Sequence, residues 1–400
     1  MAVVLGLLSA IGPFAIDMYL PALPAIGTAL HADVHAVQLS LMAFFLSFAI
    51  SQIVYGPASD MFGRKPPLYV GIALFVVGSV GCALAPDIGW LIAFRFLQGL
   101  GGGAPIVVPR AIVRDLHTGA EATKLMAMLM LVFSVSPILA PLVGSLIIDA
   151  AGWRAIFWVV TAIGVVGLVL VATTLEETRP AAQRTESDVA STLRAFWQLL
   201  RDPHFMGLTA TGAFGMAAFF IYLANSSFVL IDHYGLTPRQ YSLAFAVNAA
   251  SFIGVSQFAG RLAERYGLPR IVSVAVLGFA LSMCTLAALN FAGFESLPVM
   301  VAVLLVGFGF LGLVVPTTSV MALDDHGEIA GAASALMGTL QLVMGAVVIA
   351  VMGAFVDGTA RPMVAGIAVA AVLAWAFAHW TLGGGRTRAT APGAAAVDEA

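Results

Sequence analysis

Twelve runs of mostly apolar residues, each about 20 long or longer, follow one another along this chain, at about 2–29, 37–59, 67–85, 89–112, 122–148, 153–175, 204–231, 239–260, 268–290, 297–322, 329–356 and 361–382. Crossing about 30 Å of hydrocarbon at 1.5 Å per residue takes a helix of that length. Composition agrees, with 60% of the 400 residues hydrophobic, 10% charged and a mean hydropathy of +1.00, far outside what a soluble domain buries. The runs are continuous and do not alternate, which argues against a closed barrel and leaves an all-α membrane protein, whose helices satisfy every backbone amide in lipid. Stretches such as "HADVH", "APDIG", "DHYGLTPRQ" and "DDHGE" punctuate the runs with residues that favour turns. No Lys or Arg precedes Arg64, so the first run lacks the basic segment of a cleavable signal peptide and reads as a spanning helix.

The basic residues orient the bundle. Odd-numbered loops carry three of them, Arg154, Arg239 and Arg361, whereas even-numbered loops and the C-terminal tail carry fourteen, and Arg95 stands inside a span. The positive-inside rule then places both termini in the cytoplasm of a multi-pass inner-membrane protein. A formal net charge of −3 points to no charged partner, and no nucleic acid is expected. Cys82 and Cys284, both in apolar helices, are too few and too buried for a disulfide framework or a zinc site, so no cofactor and no metal are expected.

The longest connection, 176–203, is the most charged stretch and separates six helices from six. Within it "TLRAFWQLL" places Leu193, Phe196, Trp197 and Leu200 at helical spacing, which predicts a short amphipathic helix lying on the inner membrane face. The expected division is a six-helix bundle over 1–175, this linker, a second bundle over 204–382 and a disordered cytoplasmic tail over 383–400. An internal echo supports two related halves: "GPASDMFG" (56–63) follows the second run and "GRLAERYG" (260–267) follows the eighth, both fitting Gly, three residues, an acid, two residues, Gly, 204 residues apart. Two pseudo-symmetric six-helix bundles are a known transporter architecture.

On those residues a family can be named. "GPASDMFGRKPPL" resembles the signature of the loop between helices two and three of the major facilitator superfamily, carrying Gly56, Asp60, Gly63, Arg64 and Lys65. "RFLQGLGGGA" resembles the fourth-helix signature through Arg95, Gln98, Gly99 and Gly101. "SPILAPLVGSLI" is similar to the helix-five signature of antiporters, with Pro137, Pro141 and Gly144, although Ala140 replaces the usual glycine before the second proline. "DMYLPALP" and "RDLHTGAEATKLMAMLMLVFSVSPILAPLVG" extend the likeness, from about Asp17 to Arg388, to the Bcr/CflA drug-resistance branch. The resemblance implies a conformational latch in the first signature that stabilises an outward-facing state. The plainer alternative there is a solvated topogenic loop. For the glycines of helix four and the prolines of helix five, the plainer alternative is close packing and bending.

Site expectations follow from charge. Asp60 ends the second helix and Gly63 allows a tight turn, so that Arg64 can fold back on an acid, with Asp115 past helix four as its partner. Arg95 lies about 9 Å below the outer boundary; a guanidinium there needs a partner or a wet cavity, unless it snorkels to the surface. Asp17 is the only acid well inside a span of the first half, so the expectation is an Asp17/Arg95 pair lining the central cavity. Asp17 would carry the proton, because Arg95 cannot lose its own. Tyr19, Gln98, Tyr222, Asn225 and Asn248 are the expected neutral hydrogen-bonding residues of the substrate cavity. Ser9 stands where some relatives of this type carry a second acid, which argues against a two-site proton scheme. The function expected is therefore proton-coupled efflux of small, mostly apolar drugs or metabolites by a monomer whose partners are its substrate, protons and the lipid bilayer. A nutrient uniporter or symporter on the same fold is the alternative. An enzyme would need a nucleophile, metal ligands or a paired acid and base, and no such cluster appears; a receptor would need an output module, and no loop exceeds about 30 residues.

Overall fold

The computed structural model describes residues 2–117, 119–180 and 189–384; most of the tail and the middle of the linker lie outside them. It contains twelve helices long and apolar enough to span a membrane. In chain order they are α1 (Val3–Ala29), α2 (Val34–Phe62), α3 (Lys65–Leu84), α4 (Ile88–Leu116), α5 (Lys124–Ala151) and α6 (Trp153–Thr174), then α7 (Pro203–His233), α8 (Pro238–Tyr266), α9 (Leu268–Phe291), α10 (Leu297–Asp324), α11 (Ala330–Gly353) and α12 (Arg361–Gly383). Large apolar side chains such as Val77, Trp158, Leu281 and Trp380 are exposed around the perimeter, which is the surface that lipid covers.

Packing repeats between the halves. In the first, α4 packs on α2 and α3, α3 on α6, and α1 on α5 and α6; in the second, α10 packs on α8 and α9, α9 on α12, and α7 on α11 and α12. Adding six to each helix of the first set gives the second. The contacts between halves obey the same rule: α2 lies against α11, and α8 lies against α5.

Small residues set these approaches. A Cβ on Gly99 would meet Ser47 and the Phe44 carbonyl of α2, one on Gly101 would meet α3 at Gly71 and Phe75, and one on Gly144 would meet the Met18 carbonyl of α1. The helix-four glycines and Gly144 thus sit where backbones come close. Three spans are interrupted; α8 breaks at Gln257 and Phe258, near its end, and the other two breaks lie deeper. α1 is helical to Asp17, turns through a 3-10 segment at Leu20–Ala22 and resumes at Leu23; Pro21 and Pro24 have no N–H to offer the carbonyls four residues earlier, at Asp17 and Leu20. α4 breaks at Gly103, two residues before Pro105, for the same reason. Helix five runs unbroken through Pro137 and Pro141.

The linker helix forms over Val189–Arg201. Leu199 is fully buried and Phe196 packs beside it, in a cluster with Phe205 and Leu208 of α7, whereas Leu193, Trp197 and Leu200 of the expected stripe are exposed. The sequence pattern marked the apolar stripe but did not show that the second bundle takes its edge. Cys82 is buried as expected, but Cys284 is exposed on the perimeter.

Candidate functional site

Asp17 sits at the break in α1. Its side chain is buried, the only acid that is so among the described residues, and Oδ2 accepts a hydrogen bond from Ser136 Oγ of α5 at 2.9 Å. The helix break places the carboxylate where α1 meets α5, one residue from the close approach of Gly144 to Met18. Ser136 lies inside the helix-five motif, but nothing in its residue type announced that role.

Arg95 is not the partner of Asp17. No ion pair joins them among the described residues; Arg95 Nη1 donates instead to Gln98 Oε1 at 2.6 Å and to the Ala15 carbonyl at 3.4 Å. The guanidinium lies between the rings of Tyr19 (4.5 Å) and Phe44 (4.3 Å), an electrostatically favourable placement for a desolvated cation. Asp17 bonds Ser136 of α5 while Tyr19, past the helix end, lies against the guanidinium, so the two charges face different neighbours. Snorkelling is ruled out as well, since Arg95 is fully buried (0% exposed). Its Nε and Nη2 have no hydrogen-bond partner among the described residues.

The five neutral residues are all buried, and each already holds a neighbour. Tyr19 shares a hydrogen bond with Ser40 (2.7 Å), Gln98 donates to Ser79 (2.7 Å), and Asn248 donates to the Tyr222 hydroxyl (3.0 Å). Asn225 accepts from Gln38 Nε2 at 2.9 Å, and Gln38 reaches the Ala224 carbonyl at 3.2 Å as well. Tyr222 stacks on Phe245 (5.5 Å, 10°) and stands edge-on to Phe308 (5.1 Å), while Phe45 of α2 meets Phe220 of α7 at 4.8 Å. An aromatic wall therefore lines the second half where it faces the first. Gln38 Oε1 and Asn248 Oδ1 remain buried acceptors without a hydrogen-bond partner among the described residues.

The bonds between halves cluster at one end of the bundle. Gln38 bonds Ala224 and Asn225, and Ser242 Oγ donates to the Pro141 carbonyl at 2.9 Å. Gln38 and Ser242 each lie four residues into α2 and α8, about 6 Å from their starts, at the end opposite the termini. A Cβ on Gly353 of α11 would meet His35 of α2 at the same end.

The latch residues assemble at the termini end, within the first half. Gly63 ends α2 with φ +92, a conformation that favours glycine. Arg64, 3% exposed, then folds back: Nε and Nη2 grip Asp115 at 2.6 and 2.9 Å, and Nη1 reaches Asp60 at 2.8 Å and Ser59 at 2.7 Å. Gly56 lies inside α2, its carbonyl accepting from Ser59, with space for a Cβ. Three residues past α6 complete the cluster without having been expected. Glu177 accepts from the backbone N–H groups of Arg64 and Lys65 at 2.8 and 3.1 Å, capping the positive end of α3. Arg179 pairs with Asp60 at 2.9 Å, and Thr178 donates to Asp115 at 3.0 Å. Lys65 Nζ in turn donates to the Leu175 carbonyl at 2.7 Å, a cation at the negative end of α6.

Comparison with known proteins places these features in context. The family model of the Major Facilitator Superfamily matches residues 5–349. The MFS-type transporter YdgK of Bacillus subtilis (strain 168) is 36% identical over 375 residues, 93% of each chain. A bicyclomycin resistance protein homolog of Haemophilus influenzae is 29% identical over 90% of each chain, and the multidrug resistance protein MdtL of Escherichia coli is 31% identical over 61% of each. Among solved structures, a bacterial homolog of the human lysosomal transporter Spinster in an inward-facing, unoccupied conformation aligns with a TM-score of 0.76 at 16% identity over 98% of both chains. A D-xylose–proton symporter aligns with 0.72 at 16% identity, over 94% of this chain and 97% of that one. At such identities the structural likeness speaks for the fold alone.

Proposed function

This chain belongs to the Major Facilitator Superfamily, a multi-pass membrane transporter and not an enzyme, and we propose that it exports small, mostly apolar drugs or metabolites across the inner membrane in exchange for protons. The observation that carries this reading is Asp17, a buried acid at a helix break, held by one hydroxyl and beside the contacts between the halves. The drug-resistance names of the relatives favour drugs as cargo.

In this reading the bundles over 1–175 and 204–382 rock about the interface, the molecule works as a monomer, and both termini are cytoplasmic. The conformer with its far end joined through Gln38, Asn225, Pro141 and Ser242 is then the inward-open one. A carboxylate's proton affinity depends on hydration and nearby charge, both of which change as the site switches faces. Substrate entering from inside displaces the proton, and protons from outside displace substrate. Gln38 Oε1 and Asn248 Oδ1 supply acceptors for a polar group on the cargo, beside the aromatic wall. Arg95 acts here through α1, holding the turn before Asp17 by its Ala15 carbonyl, and Asp17 alone carries the proton. The Arg64 cluster, already formed here within the first half, stabilises the outward-open partner of this conformer through one further contact made only there, of the Asp60 carboxylate with the positive end of a neighbouring helix, and the exposed stripe of Leu193, Trp197 and Leu200 lies on the inner membrane face.

The test is Asp17→Asn in proteoliposomes with an imposed pH gradient. The amide keeps shape and hydrogen bonding but cannot exchange a proton, so gradient-driven transport should fall about 100-fold or more while substrate exchange without a gradient persists. Gradient-sensitive transport in the mutant removes Asp17 from the mechanism. In the wild type, substrate moving with the proton flow rather than against it identifies a symporter.

A further inference from the structure

The outer face of the second half carries a groove that transport by Asp17 does not use. α11 and α12 both pack along α7 but touch each other little, leaving between them an open-sided channel of about 680 Å³ whose floor includes Ile221. Its walls are apolar, and Val351, Phe355 and Val369 are 52%, 62% and 60% exposed, so it opens sideways to the bilayer. The α12 lining runs from Arg361 to Leu373, twelve residues or about 18 Å. One turn further, Phe377 stacks on Phe214 (5.4 Å, 12°) and closes the bottom. That depth matches one leaflet, half of a hydrocarbon core about 30 Å thick.

The mouth is charged with both signs. Arg361 is 47% exposed and only loosely paired, at 3.4 Å, with Glu295. Asp357 lines the mouth and spends one carboxylate oxygen on the Thr359 N–H and hydroxyl, with Arg361 close enough to attract the carboxylate. A cation and two acids above an apolar slot one leaflet deep complement a zwitterionic lipid whose ammonium can donate hydrogen bonds. We propose that this groove holds one acyl chain of a phosphatidylethanolamine in the leaflet opposite the termini, with the phosphate on Arg361 and the ammonium between Glu295 and Asp357. The lipid buttresses α7 directly behind Tyr222, since Ile221 forms the floor.

The experiment is native mass spectrometry of the full chain extracted from membranes with equal parts phosphatidylethanolamine, phosphatidylcholine and phosphatidylglycerol. The wild type should retain one lipid through detergent washing, phosphatidylethanolamine about tenfold over the others, a difference of about 1.4 kcal/mol. Val369→Trp fills the slot from its open side without displacing protein atoms, and should retain none at an unchanged melting temperature; Ala365→Trp, deeper in the wall, should do the same. Arg361→Gln should keep a lipid but lose the preference. Equal retention of the three lipids by the wild type, or an unchanged bound lipid in Val369→Trp, overturns the proposal. One-for-one displacement of the lipid by tetraphenylphosphonium also overturns it, by making the groove a cargo site. None of these readouts depends on proton coupling, so failure here leaves the transport reading standing, and the reverse.

Discussion

Gly63 and Gly267 stand 204 residues apart, end α2 and α8 with φ of +92 and +77, and turn the chain the same way, yet only the first turn carries a network. After Gly63 comes Arg64, which binds Asp60 and Asp115, while Glu177 and Arg179 close over it. After Gly267 comes Leu268, and among the described residues no ion pair engages Arg261, Glu264, Arg265 or Arg270. The second half is tied at this end by a different contact, His326 of the α10–α11 connection against Asp202 at the start of α7 (3.1 Å). Backbone geometry has been repeated while the charges have not. The first half is thereby fastened, α2 to α4 and to the segment after α6, and the second is left free to shift its α8–α9 corner.

The strongest way to break this comparison is Arg64→Ala. It strips the shared cation from two partly buried carboxylates, and should cost about 2–3 kcal/mol, less than a fully buried pair because both acids reach solvent. Arg270→Ala, at the first cation after the second turn, where Leu268 takes the place of Arg64, should stay within about 0.5 kcal/mol. Thermal melting of the two purified variants decides it, and equal losses would mean that both corners are fastened. Next come the glycines: each alanine at these φ values strains the backbone by about 1–3 kcal/mol, but Gly63→Ala also displaces Arg64 and should slow transport, while Gly267→Ala, with open space around it, should not. Initial rates in proteoliposomes are the readout. A smaller effect is expected of Asp60→Asn, which weakens the pairs with Arg64 and Arg179 in both conformers and the proposed helix-end contact in the outward-open one alone. A loss of about 1 kcal/mol shifts a balanced equilibrium roughly fivefold toward the conformer seen here, and cysteine labelling near Ser242 should fall accordingly. Glu264→Gln should leave labelling unchanged. Least of all, Asp202→Asn keeps the cap on the His204 and Phe205 N–H groups but loses the charge opposite His326; it should cost under about 1 kcal/mol, read by melting at low and at raised salt, where such a pair is screened.

Much of this molecule was legible in its sequence because the signals were local. Runs of apolar residues specify spans by length alone, glycine at a helix end marks a turn, and an acid and an arginine four residues apart, Asp60 and Arg64, meet across one turn of chain. Asp115 as the second partner also followed from its place at the end of α4. The Asp17/Arg95 pair was misread because sequence gives depth along a helix but not the rotation of its neighbours. Both side chains lie inside spans, yet the twist of α1 turns Tyr19 toward Arg95 and Asp17 toward Ser136. Ser136, Gln38 and Ser242 carried no mark, since serines and glutamines inside apolar helices read alike until a partner faces them.

What the sequence determined by itself was the number of helices, their grouping in two echoing halves, and the residues whose charge or backbone makes them costly anywhere else: Asp17, Arg64, Arg95, Gly63. Burial in lipid penalises each misplaced charge so heavily that its presence alone implies a site. What only the tertiary structure decided was who meets whom. Glu177 and Arg179 reach α3 and Asp60 from more than 100 residues away, and Gln38 finds Asn225 across the two halves. Such pairings depend on helix rotation and crossing, which many weak packing contacts set together and no short stretch of sequence encodes.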